Sequence, residues 1–106
     1  MRFEWNPEKN EELKRERGIS FEEIALLLGA GKLWAVTDHW NPAKYPGQRV
    51  FLIPVGDYIY AVPYVVSDDA IFLKTAFPSR KLTKQYRQGE EIRDEKDRGE
   101  GTAESA

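Results

Sequence analysis

The stretch Val50-Phe51-Leu52-Ile53-Pro54-Val55-Gly56-Asp57-Tyr58-Ile59-Tyr60-Ala61-Val62-Pro63-Tyr64-Val65-Val66 decides the fold class. It holds two runs rich in β-branched and aromatic side chains, the composition that suits a pleated sheet, on either side of Gly56-Asp57. A Gly-first two-residue link suits a type II′ hairpin, so the two runs should pair back to back. Working outward, Leu33-Trp34-Ala35-Val36-Thr37 reads as an earlier strand and Ile71 to Phe77 as a later one, with Asp68-Asp69 as the second turn. Connections this short force antiparallel neighbours, because a parallel pair needs a crossover of about a dozen residues or more. Pro63 has no N–H to give a ladder, so its strand is expected to bulge or to face an open edge there.

On the N-terminal side the grammar is helical. Asn6 is a good N-cap, Pro7 suits the first helical position, and Glu8 to Arg17 is a run of helix formers that stops at Gly18. Leu13 is the one large apolar residue inside it, so this helix should lie on the domain with most of its surface wet. Ser20 with Glu23 matches a capping box and opens a second, short and mostly buried helix, where Ile24, Leu27 and Leu28 share a face before Gly29 and Gly31. After the strands, Ser79 can cap a third helix from Arg80 to about Gln88, with Gly89 as its stop. The expectation is a single α+β domain over residues 1–89, with a small antiparallel sheet of four to five strands, two N-terminal helices and one C-terminal helix. Residues 90–106 offer one aliphatic side chain of any size, Ile92, and read as a disordered charged tail.

A chain of 106 residues is long enough for one packed core and too short for two. The absence of cysteine rules out disulfides and thiolate chemistry and fits a reducing compartment. Met1-Arg2-Phe3-Glu4-Trp5 and the charged run after it lack the apolar stretch of a signal peptide or membrane span, so a cytoplasmic protein without membrane contact is expected. With His39 as the single histidine, neither a structural zinc site nor a cofactor is expected, while a carboxylate-bound magnesium stays open.

The formal net charge of −2 conceals a division. Residues 90–106 carry seven acids against three bases, whereas Ile71 to Gly89 holds Lys74, Arg80, Lys81, Lys84 and Arg87 and no acid. Basic residues beside Phe77 and Tyr86 combine phosphate contacts with base stacking, the two ingredients of single-stranded RNA binding. A solvated helix face accounts for the same residues equally well. The irregular stretch Asp38 to Gln48 is the second candidate, since it places His39, Trp40, Lys44 and Tyr45 in a loop longer than hairpins need. Histidine titrates near neutral pH and could serve as general acid or base, although a lone histidine is more often structural. Trp34 reads as core, while Trp40 and Tyr45 either pack their loop or stack a base.

Read in order, Phe3-Glu4-Trp5-Asn6-Pro7-x-Lys9, Arg17-Gly18-Ile19-Ser20-Phe21-Glu22-Glu23, Arg49 at a strand start, and Ser79-Arg80-Lys81 leading into a helix with Tyr86 resemble the BrnT-type toxins of bacterial toxin–antitoxin pairs. The resemblance spans roughly residues 2–88, and its N-terminal motif is the specific part. It implies a RelE-like ribonuclease fold, a first strand over Arg2 to Trp5, and a cognate antitoxin, usually ribbon-helix-helix, that covers the active surface. The chain departs from the family pattern at Leu13, at Glu16-Arg17 and at Gln85, and its Trp40 to Gln48 loop is larger than the family's.

Under that resemblance the expected activity is metal-independent RNA cleavage. A base takes the 2′-hydroxyl proton, cations stabilise the pentacoordinate phosphate, and an acid protonates the leaving 5′-oxygen. Charge stabilisation falls to Arg49 and Arg80, because a guanidinium fork binds two phosphate oxygens. Lys9, Lys81, Lys84 and Trp40 would position RNA, and His39, Tyr86 or Glu4 would carry protons. Arg49 fits a cross-strand salt bridge equally well. Two other classes compete: a non-catalytic module gripping RNA or an acidic protein with the same basic surface, and an interaction domain recruiting a strand at an open sheet edge near Pro63.

Overall fold

The structure is a computed structural model that describes residues 2–89, and the tail expected over 90–106 lies outside the described residues. The elements run β1 (Arg2–Trp5), α1 (Pro7–Arg17), α2 (Phe21–Gly29), β2 (Ala35–Asp38), β3 (Arg49–Val55), β4 (Tyr58–Ser67), β5 (Ala70–Leu73), β6 (Phe77–Ser79) and α3 (Arg80–Arg87). The α+β class and the three helices are those the sequence predicts.

The helix ends follow local chemistry. Asn6 Oδ1 accepts from the Glu8 and Lys9 N–H groups at 2.8 and 3.1 Å, and Gly18 closes α1 at φ +68° with its N–H on the Lys14 carbonyl. Ser20 Oγ accepts from the Glu23 N–H at 3.1 Å. Between the two helices lies buried Asn10, whose Oδ1 accepts from the Phe21 N–H and whose Nδ2 donates to Glu22 Oε1, both at 2.7 Å. The Asn10 hydrogen bond is the leading reason that the Glu22 carboxyl titrates below the usual carboxylate range. Burial on α2 is one-sided: Phe21 and Ile24 are fully buried and Leu27 and Leu28 pack against the core, but Leu26 is 74% exposed, so the helix is less buried than expected.

The sheet runs β1-β5-β4-β3-β2, with β6 also paired to β4. The β3–β4 hairpin turns at Gly56-Asp57, where Gly56 takes φ +58° and Asp57 stays at negative φ, the signature of a II′ turn. The purely antiparallel sheet needs one correction. β1 pairs with β5 in parallel, Arg2 opposite Ala70 and Trp5 opposite Leu73. The two strands are separated by both helices and β2–β4, a connection long enough for the crossover that parallel pairing requires.

The run 71–77 is likewise two strands rather than one. β5 pairs with Tyr64–Ser67 and β6 with Ile59–Ala61, so Lys74, Thr75 and Ala76 oppose only Val62 and Pro63: a β-bulge. Pro63 explains its position. The Ile59 N–H points away from β3, to Thr83 Oγ1, and alternation puts the N of Pro63 on that same side, opposite the bulge. The Pro63 carbonyl there accepts from the Lys74 N–H at 2.8 Å. Pro63 is therefore buried in a central strand, between β3 and the bulged run that joins β5 to β6, and does not itself face an open edge; the strands with one neighbour are β1, β2 and β6.

Both faces of the sheet are covered, which is why β3 and β4 read as nearly continuous apolar runs. Leu13, Ile19, Phe21 and Ile24 from the α1–α2 side pack on Phe51, Ile53, Val62, Tyr64 and Leu73. The alternate residues Val50, Leu52, Ile59 and Ala61 face the other way, under Trp34, Phe77 and Leu82 of the α3 side. Among the described residues no helix is long and apolar enough to cross a membrane.

Candidate functional site

α3 is fastened to the sheet by one buried hydroxyl. Thr83 Oγ1 donates to the Ser79 carbonyl at 2.6 Å and accepts from the Ile59 N–H at 2.8 Å, while Ser79 Oγ caps the helix at the Leu82 N–H. The helix then projects Arg80, Lys84 and Arg87 from one side, at positions i, i+4 and i+7, beside the half-exposed ring of Tyr58. With Thr83 and Gln88 they line an open groove of about 450 Å³. Arg87 is held by donating from Nη2 to the Asp57 carbonyl at 2.7 Å, and its remaining N–H groups are directed elsewhere. Lys81 projects about 100° around the helix from Arg80.

The electrostatics of this helix run against its own stability. Arg80 and Lys81 occupy the first turn, where the helix dipole favours anions, and no acid is present in that turn. Cations spaced at i and i+4 repel. Among the described residues the ion pairs lie on β1, between β1 and the β4–β5 turn, on α1 and between β2 and β3, and none reaches α3. A bound polyanion would offset each of these costs.

A second concavity, about 270 Å³, lies on the same side of the sheet, at the bulge. Its lining includes His39, Trp40, Tyr45, Lys74 and Phe77. His39 is buried, with its ring 4.1 Å from Trp40 and 4.5 Å from Tyr45. Its Nδ1 accepts from the Asn41 N–H at 3.0 Å, so the neutral ring carries its proton on Nε2 and can only donate there. Burial also holds its pKa below the ordinary histidine value. A ring so placed serves as a hydrogen-bond donor and a stacking hub better than as a proton shuttle.

The remaining candidates are dispersed. Arg49 sits opposite Asp38 across β2–β3 with Nη1 3.5 Å from Oδ1, the cross-strand salt bridge, and alternation turns it to the side of Phe51, away from α3. Lys9 lies on α1, across the sheet from α3, paired with Glu12 at 3.3 Å. Tyr86 packs edge-on to Trp34 with ring centres 5.3 Å apart, in a hollow with Leu27 and Pro54. Glu4 is ion-paired with Arg2 at 2.8 Å. The structure thus gathers Arg80 and Lys84 in one groove and His39 and Trp40 in one pocket, both on the α3 side, and leaves Lys9 and Arg49 on the opposite side. Tyr58, which the sequence pattern marks only as strand, joins the cationic groove; its place directly after the Gly56-Asp57 turn was the available signal.

Among the described residues no group of three or more His, Asp or Glu side chains could hold a metal ion. No family model, curated protein or solved structure matches the chain.

Proposed function

We propose that the protein is a ribonuclease toxin of a toxin–antitoxin pair that seats RNA against the α3 side of its sheet. The observation that supports this reading is the row Arg80, Lys84 and Arg87 beside Tyr58, without an ion pair to any described residue and with Arg80 at the end of the helix whose dipole favours anions. Phosphates of a single strand supply the missing anions, and exposed aromatic rings on the same side of the sheet supply stacking. Cleavage then rests on electrostatic stabilisation of the phosphorane by Arg80 and Lys84, with the Tyr58 hydroxyl as the proton-carrying group of the groove. The motif resemblance to BrnT-type toxins supports the same class, and implies a ribbon-helix-helix antitoxin covering this surface.

The second reading, an RNA-binding module without chemistry, is favoured by one observation: His39 and Tyr86 do not share the groove with Arg80. Turnover separates the two. Purified full-length protein incubated with an excess of single-stranded RNA should cut it over many cycles, and Arg80→Ala should slow the reaction by about 100-fold, the usual effect of removing one oxyanion donor. RNA that is retarded in a gel but stays intact would establish the binding module. RNA neither cut nor bound at low salt would refute both.

A further inference from the structure

We propose that the pocket formed by the His39 loop and the bulge is a subsite for one nucleobase of single-stranded RNA. The inference deepens the RNA reading above and rests on it for the source of the base. Its carrier is Trp40, which is 62% exposed although indole is among the side chains that gain most from burial. One face of the indole stacks on His39 at an interplanar angle of 28°, and the Phe77 ring stands nearly perpendicular to it with ring centres 5.6 Å apart. The exposed part of the indole is left to a ligand.

The platform is braced from within. The loop closes on itself through the Tyr45 N–H to the Asn41 carbonyl, the Gln48 N–H to the Tyr45 carbonyl and the His39 N–H to the Gln48 carbonyl. The Asn41 N–H pins the His39 ring, and the ring fixes Trp40. A preorganised aromatic face binds a planar base without the cost of ordering a loop.

The rim selects a nucleotide over a plain apolar molecule. Gln48 and Thr75 offer donors and acceptors for a base edge, and Lys74, whose ammonium lies 5.3 Å above the Phe72 ring, supplies a cation for the attached phosphate. The bulge brings Lys74 and Thr75 to this wall by adding one residue opposite Val62-Pro63. Phe77 precedes Arg80 by three residues of β6, about 10 Å of strand. A strand with one base on Trp40 therefore needs to run on by only about two or three nucleotides to bring a phosphate to the start of α3.

The test uses the full chain with adenosine 5′-monophosphate, inorganic phosphate, and a 2′-O-methyl hexanucleotide that cannot be cleaved through its 2′-oxygen. The monophosphate should shift the Trp40 indole N–H resonance and quench tryptophan fluorescence, while inorganic phosphate leaves Trp40 unmoved. Trp40→Ala should weaken the hexanucleotide by about 5- to 150-fold, the range for loss of one base–aromatic stack, and Trp40→Phe should recover most of it. A hexanucleotide that binds wild type and Trp40→Ala equally would overturn the subsite and leave the RNA reading intact. A monophosphate that moves Trp40 while the hexanucleotide fails to bind would keep the subsite as a mononucleotide site and end the RNA reading. No response of Trp40 to either nucleotide would overturn the proposal outright.

Discussion

Replacing Thr83 by valine tests whether one hydroxyl fastens the cationic helix to the sheet. Valine keeps the shape and removes both hydrogen bonds, leaving the buried Ile59 N–H without its 2.8 Å acceptor. Orphaning a buried donor costs about 1–3 kcal/mol, more than the small net gain that a typical made bond provides. Taking about 2 kcal/mol, and about 4–8 °C per kcal/mol for a domain of this size, the melting temperature should fall by about 8–16 °C. Thr83→Ser retains the oxygen and should lose less than half as much. The assay is thermal and urea unfolding followed by far-ultraviolet circular dichroism, with RNA affinity measured on the same samples at a temperature where all variants are folded. A valine variant that melts with wild type would refute the anchoring argument, and with it the placement of Arg80, Lys84 and Arg87 by that hydroxyl.

Three further outcomes follow from the same geometry. Gly18→Ala should destabilise the fold by about 1–2 kcal/mol in urea titration, because a Cβ there meets nothing within 4 Å but φ is +68°, so the whole effect is backbone strain. His39 has a folded pKa below its unfolded one, so the unfolded chain binds the proton first: stability is full above the unfolded value of about 6.5 and falls as the pH drops through the depressed folded pKa. The midpoint of urea unfolding should accordingly decline as the pH falls below about 6.5, and His39→Phe should remove the part of that decline due to this ring. Finally, log affinity for single-stranded RNA should fall linearly with log salt, and Arg80→Ala with Lys84→Ala should flatten the slope by about 0.7 for each phosphate no longer neutralised; an unchanged slope would place the phosphates elsewhere.

Features set by neighbours in the chain were legible from sequence, and features set by distant pairing were not. Asn6-Pro7, Gly18, Ser20 with Glu23, and Ser79 announce the helix ends because each acts on backbone groups within a few residues. Gly56-Asp57 announces its hairpin for the same reason. The parallel β1–β5 pair leaves no local trace, since nothing near Arg2 records Ala70, and Arg2 to Trp5 reads as a strand only through the family resemblance. The bulge was half visible: Pro63 signalled a fault in the ladder, but the extra residue fell on the neighbouring strand at Lys74–Ala76. Alternation along β3 already separates Arg49 from the Val50 side, and so from α3, whereas the burial of His39 depends on a loop folding over Pro63 and Phe77 that no periodicity reveals.

The central claim, that the α3 side of the sheet acts on RNA, is tested most directly in cells. Wild type and an Arg80→Ala, Lys84→Ala double variant are induced in a bacterial host, and growth and total RNA integrity are followed together with soluble protein level. The account predicts growth arrest with RNA loss for wild type and neither for the double variant. Equal RNA loss from both, at equal soluble levels, would contradict it.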